Sequence, residues 1–215
     1  ATPLRNRFGG WYVTGQHGDQ VHLGNIVVRE LAALQRLDEL RRGNLENLDG
    51  VVDTEPYAAS SSDIVALLVL QHQIAVQNEI SRVLYTLRGG RGAADVATTV
   101  EPLVATLLGA DEAALTDRIT GNTGFAARFE ERGPFDSAGR SLRELDLTTR
   151  LLRYPLSYLI YSEAFRALPE AARTQVYTRL EQILGGAEDD ERFAHLTAAD
   201  RSAIRDILLE TEPAF

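Results

Sequence analysis

The chain has no cysteine, no methionine and no lysine, so all 22 of its positive side chains are arginine. Without cysteine there is no thiol nucleophile, no cysteine-held zinc or iron–sulfur cluster, and no Cys-x-x-Cys-His attachment of haem. Without lysine there is no Walker A phosphate loop, no Schiff base and no Ser-x-x-Lys nucleophile. The Gly-Gly-Arg-Gly at 89–92 therefore reads as a loop after a helix. Long apolar runs are missing too: the longest, Ile64 to Leu70, is far short of a bilayer span. Neither a His-Glu-x-x-His motif, nor paired Glu-x-x-His motifs, nor a Gly-x-Ser-x-Gly elbow occurs. A net charge of −9 argues against a nucleic-acid groove, which needs clustered positive surface. Arg41-Arg42 and Arg88 to Arg91 read as solvated surface. The missing initiator methionine suggests a processed or excised chain and, if a signal peptide was removed, a compartment outside the cytoplasm.

What is present supports a packed helical protein. At 215 residues and 44% apolar composition, the chain has enough material for a real core. The sequence reads as a single all-α domain: an irregular Gly-rich arm at 1–25, a helix and connector at 26–59, and a helical body at 60–215. In the arm, Trp11 to Thr14 is β-prone between Gly9-Gly10 and Gly15, with room for a short hairpin. Helical spacing of Val27, Leu31, Leu34 and Leu37 predicts a helix from Ile26 to Arg42.

The body centres on Ser60 to Arg88. There Ser60 and Asp63 form a capping-box pattern, and apolar spacing runs unbroken to Gly89-Gly90. Ile64 to Leu70 is apolar on every side, as in a helix surrounded by protein, and is expected to be buried together with Leu159 and Ile160. Further helices are expected at Asp95 to Leu108, with Pro102 as a kink or true start, at Phe125 to Glu131, from Ser141 to Arg153, and from Leu156 to Leu168. Two more follow: one after Pro169 with a Val176, Tyr177, Leu180, Ile183 and Leu184 face, and a last one capped by Thr197 with Asp200. Glu188 to Glu191 forms the single charge run.

Three histidines are the candidate site residues. His17 and His22 stand in the Gly-rich loop close to Trp11 and Tyr12. They read either as ligands to metal or haem or as turn histidines bonded to backbone. Trp11 and Tyr12 are expected to anchor the arm and carry His17 or His22 towards the long helix. His72 lies where that helix turns from apolar to polar, among Gln71, Asn78 and Glu79. It reads either as a ligand oriented by those groups or as a buried histidine satisfied by them. Glu191 and His195 read as a surface or cap pair.

The stretches RFGGWYVTGQHGDQVHLGN, SSSDIVALLVLQHQ, RYPLSYLIYSEAFRALP and FAHLTAADRSAIRDILLET carry a resemblance covering most of residues 4–212. They resemble the C-terminal half of predicted secreted c-type cytochrome-like proteins of Planctomycetes, Acidobacteria and similar phyla. In that group a haem-attachment Cys-x-x-Cys-His precedes the Trp-containing arm. The resemblance implies that His17, His22 and His72 supply or surround a distal ligand to haem held by a partner or by a domain outside this chain. This chain departs from the pattern in lacking the attachment motif and in placing Gln71 where a glutamate is expected. The function implied is a periplasmic or secreted helical domain associated with c-type cytochrome electron transfer, a scaffold or ligand donor more than a catalyst. It would have a cytochrome or larger complex as protein partner. The rival reading is a non-catalytic structural subunit of a larger assembly. A histidine-based metal hydrolase ranks last, since no ligand spacing supports it.

Overall fold

The structure, a computed structural model, describes residues 2–26, 28, 30–36, 43–89, 95–110, 112–186 and 190–215. Their regular elements are helical: α1 Ile64–Arg88, α2 Val96–Leu107, α3 Phe125–Glu130, α4 Glu163–Arg166, α5 Glu170–Leu184 and α6 Ala198–Thr211. Short 3-10 segments occur at Leu4–Asn6, Leu31–Arg36, Tyr158–Tyr161 and Glu191–Phe193. Among the described residues β-pairing is limited to isolated bridges, so the chain is all-α with irregular connections. No helix among them is long and apolar enough to cross a membrane.

Contacts divide the chain into two compact units: residues 1–70, 113–131 and 146–151 form one, and 71–112, 132–145 and 152–215 form the other. The division falls inside α1, between Leu70 and Gln71, where the sequence changes from apolar to polar.

In the first unit the arm is held by backbone pairing to scattered partners. Thr14 bridges Asp63, Gly15 bridges Leu45 and Gln16 bridges Thr120, so three consecutive residues meet three separate segments and no hairpin forms around them. At Gly15, with φ of 118°, a Cβ would come within 2.8 Å of both Ile64 Cγ2 and the Thr120 carbonyl, so only glycine fits. The arm is anchored by Leu4, Phe8 and Val13, all buried, and not by Trp11 and Tyr12, which are 50% and 36% exposed. The side-chain amide of Asn25 clasps Val13 by both polar atoms, accepting from its N–H and donating to its C=O at 2.8 Å each.

Asp63 joins the arm to α1. It is buried, and it takes over the capping role expected of Ser60: Oδ1 accepts the Val65 amide at 2.8 Å, so the helix begins at Ile64. Its Oδ2 accepts the amides of Asn122 and Thr123 and the Thr123 hydroxyl at 3.1, 3.0 and 2.6 Å. Beyond the cap, Ile64, Val65, Leu67, Leu68 and Val69 are buried as expected, whereas Leu70 is exposed. In the 26–42 stretch, Leu31–Arg36 is 3-10. The expected helical positions at Val27 and from Leu37 to Arg42 lie outside the described residues, as do Gly90 to Ala94 and Glu188 and Asp189 of the acidic run.

The second unit is a packed helical body. α5 packs against α2 and α6, burying Leu103, Val104 and Leu107 of α2, Val176, Leu180 and Ile183 of α5, and Ile204, Ile207 and Leu208 of α6. Asp95 caps α2, which runs through Pro102. Gly185 ends α5, and the reciprocal Thr197–Asp200 capping box opens α6. Two expected helices are replaced. At 141–153, of which residues 146–151 belong to the first unit, the Ser141–Glu144 bonds form, but no helix follows: Asp146 Oδ1 accepts the Thr148 and Thr149 amides and Leu147 takes φ of 59°. An aspartate offering the backbone a local turn competes directly with helix propagation. From Leu156 to Leu168 the chain forms a 3-10 turn and the four-residue α4, since Ser157 and Ser162 each cap a new start. Ile160 is fully buried there and Leu159 partly so.

Candidate functional site

The three sequence-predicted histidines separate into two places. His17 and His22 lie in the first unit and His72 in the second. All three are buried.

The rings of His17 and His22 meet edge to face, with centroids 4.7 Å apart and planes at 70°, and Phe8 stands edge-on to His22 at 5.6 Å. Phe8 thus takes the aromatic place expected of Trp11 and Tyr12. Gly24 allows this, because a Cβ there would lie 2.8 Å from His22 Nδ1 and 2.6 Å from Val13 Cγ2. His22 Nδ1 accepts the Gly24 amide at 2.9 Å, which places the proton of the neutral ring on Nε2.

His17 is held by its main chain. Its N–H donates to Asn44 Oδ1 at 2.6 Å, and its C=O accepts from the Gln20 amide at 3.3 Å and from Gln20 Nε2 at 3.2 Å. Gln20 is itself fixed, donating to the Asp117 carbonyl at 2.7 Å and accepting the Thr116 amide at 3.0 Å. The His17 ring has no such support: among the described residues neither nitrogen has a hydrogen-bond partner of ordinary geometry, though the ring is only 2% exposed. Burial lowers its pKa from the ordinary 6.5, against an upward pull from the Gln20 and Gly43 backbones. The imidazole is thereby kept in its neutral, lone-pair-bearing form.

His72 is differently placed. Nε2 lies 2.8 Å from Ser157 Oγ, and Nδ1 faces Glu112 Oε1 at 3.6 Å. A carboxylate only accepts, so the nitrogen facing it is assigned the proton and Nε2 accepts from Ser157. The orienting groups expected from the sequence are elsewhere: Asn78 is exposed, Glu79 bonds Arg82 at 2.7 Å, and Gln71 Oε1 is buried without a hydrogen-bond partner among the described residues. Beside His72, Tyr158 lies under the Arg143 guanidinium, 4.3 Å from its ring centroid. Burial pushes its hydroxyl up to about 12, against Gln73 and Arg143.

Ser157 and Glu112 are the residues sequence reasoning missed. They lie 85 and 40 positions from His72, and no spacing rule joins them. Ser157, His72 and Glu112 follow the order of a nucleophile, a base and its orienting acid. The Ser157 side chain has no exposed surface, however, and its Oγ also accepts the Leu159 amide at 3.3 Å. A serine sealed from solvent and engaged in capping is a buried link between elements, with no face for a substrate. His195, expected as a surface or cap residue, has its nitrogens 3.1 Å from the Arg192 carbonyl and 2.9 Å from the Leu108 carbonyl, next to the end of α2.

Each histidine can be tested as a ligand to a haem iron. A ligating imidazole offers one nitrogen's lone pair and keeps a proton on the other, usually donated to a fixed acceptor. His22 has the opposite tautomer, receiving an N–H at Nδ1. His72 has its accepting nitrogen taken by Ser157. His17, whose ring nitrogens make no hydrogen bond of ordinary geometry but feel the Gln20 and Gly43 backbones, is the least committed of the three. No family model, no curated protein and no solved structure matches this chain.

Proposed function

We propose that the chain is a periplasmic or secreted helical domain associated with c-type cytochrome electron transfer, serving as scaffold and histidine donor more than as catalyst. The observation that carries this reading is the pair of buried histidines, His17 and His22, packed ring to ring in the arm that bears the resemblance. Haem held by a partner or by a region outside this chain would supply the one-electron chemistry. The chain's own contribution is to clamp the His17 backbone through Asn44 and Gln20 and to keep its imidazole neutral and shielded from water.

The reading is tested by purifying the protein from its natural source and recording absorbance across the haem Soret region during gel filtration. Soret absorbance co-eluting with the chain is expected. A chain eluting alone, with no Soret band and no shift on addition of a c-type cytochrome, overturns it. The rival reading, a structural subunit of a larger assembly, draws on Ile74 and Tyr85. These are 49% and 80% exposed, eleven residues apart and so close to one face of α1. Elution in a large assembly without haem favours that rival.

A further inference from the structure

We infer that the outward face of α1 in the second unit pairs with the same face of a second copy of this chain, the two helices running antiparallel. α1 buries one stripe in its own unit through Val76, Ile80 and Val83. On the opposite side of the helix Ile74, Asn78, Ser81 and Tyr85 follow one another in steps of four, three and four. That is the spacing of a coiled-coil seam. Ile74 and Tyr85 close its two ends, 49% and 80% exposed, and between them Asn78 is exposed and Ser81 half-buried.

The order of these four residues selects a second copy as the occupant. A two-fold axis crossing α1 between Glu79 and Ile80 sets Ile74 against Tyr85 of the second copy, and Asn78 against its Ser81. The stripe is thus complementary to itself, as a two-fold contact requires. One proton sets the direction. Ser81 Oγ donates to the Gln77 carbonyl at 2.8 Å, so across the seam it can only accept. Antiparallel pairing offers it the N–H of an Asn78 amide. Parallel pairing would set two Ser81 oxygens face to face, each with its proton spent inside its own helix. Asparagine in such a seam also fixes the register of two strands. Charge does not oppose the contact. From Ile74 to Arg88 the ionised groups are Glu79, Arg82 and Arg88, and the first two pair at 2.7 Å. The net charge of −9 is therefore carried elsewhere on the chain. The inference goes beyond the cytochrome-linked reading and holds with or without haem.

Sedimentation equilibrium of the purified chain, with no haem added, tests the pairing. A dimer is expected, and Ile74→Glu and Tyr85→Ala should each raise its dissociation constant more than ~10-fold, since each change enters twice per dimer. Leu209→Glu, at a 60% exposed leucine of α6, is the control and should change it less than ~2-fold. Circular dichroism checks the fold of each variant. Because the chain lacks cysteine, introduced thiols report the direction. An oxidised mixture of Ile74→Cys and Tyr85→Cys variants should give a mixed disulfide-linked dimer, the two Cα atoms lying within the ~7 Å reach of a disulfide. Neither variant should link to itself, since like positions then stand about 16 Å apart along the helices. Self-linkage of either variant overturns the antiparallel pairing. A chain that stays monomeric up to ~1 mM overturns the interface, and so does a dimer that Ile74→Glu and Tyr85→Ala leave unchanged. A monomer that carries haem would overturn this pairing and leave the cytochrome-linked reading intact.

Discussion

In the unit formed by residues 1–70, 113–131 and 146–151, order comes from polar groups meeting at points. In the unit formed by 71–112, 132–145 and 152–215 it comes from apolar faces meeting along lines. The first has Asp63, one buried carboxylate satisfying amides from two segments, and a glycine-dependent crossing at Gly15. The second has α2, α5 and α6, whose apolar stripes bury continuous surface. Point contacts depend on individual atoms, so single losses there leave buried donors stranded. Packed helices spread the same stabilisation over many weak contacts. The contrast also runs through short stretches of the sequence. YVTGQ and SSSD bond to each other in the first unit through Thr14, Ser62 and Asp63, and LQHQ bonds to PLSY in the second through His72 and Ser157.

The contrast can be broken at its strongest point by Asp63→Ala. It strands the Val65, Asn122 and Thr123 amides together and should cost on the order of 4 kcal/mol in urea unfolding. Hydrogen exchange should accelerate at those amides first, while α5 stays protected. Uniform acceleration in both units would erase the distinction. Leu180→Ala probes the other side: removing a fully buried leucine from α5 should cost about 3 kcal/mol, with exchange rising first in α2 and α5. A loss below about 1 kcal/mol would mean that the helical body is not packed as described.

A polar link inside the helical unit sharpens the comparison. Ser157→Ala leaves His72 Nε2 buried without its partner and should cost about 1–2 kcal/mol. Ser157→Thr, which keeps the hydroxyl, should recover part of it. Equal losses for the two variants would show that volume, not the bond to His72, matters at this site.

The smallest effect belongs to pH. Burial depresses the His17 pKa in the folded chain, so the unfolded chain binds the proton more readily and stability rises with pH. The contribution is complete above the ordinary value of 6.5 and declines as pH falls from there towards the lower folded pKa. The loss on acidification from neutrality should be smaller than that of any substitution above, and His17→Gln should flatten that part of the profile. An unchanged slope in His17→Gln would assign the acid sensitivity to other groups.

How much was legible follows the same division. The α5 face of Val176, Tyr177, Leu180, Ile183 and Leu184, its stop at Gly185 and the Thr197–Asp200 box were readable because periodicity and caps act within one or two turns. The 141–153 segment misled because a capping pattern says where a helix can begin. It does not say whether Asp146, a few residues on, will turn the chain aside. Trp11 was misassigned because size and apolarity name a good anchor, yet burial is decided by which neighbours arrive. Here they arrived at Phe8 and Val13.

The sequence by itself determined the all-α class, the buried run at the start of α1 and the exclusion of lysine- and cysteine-based chemistry, since composition and short-range spacing suffice for each. Only the tertiary structure decided which nitrogen of which histidine is engaged. His72 meets Ser157 and Glu112 across long stretches of chain, His22 is turned to Gly24 by a glycine's missing Cβ, and the His17 ring makes no hydrogen bond of ordinary geometry. A hydrogen bond is fixed by positions to within tenths of an ångström, and those positions are set by the packing of segments that are remote in sequence.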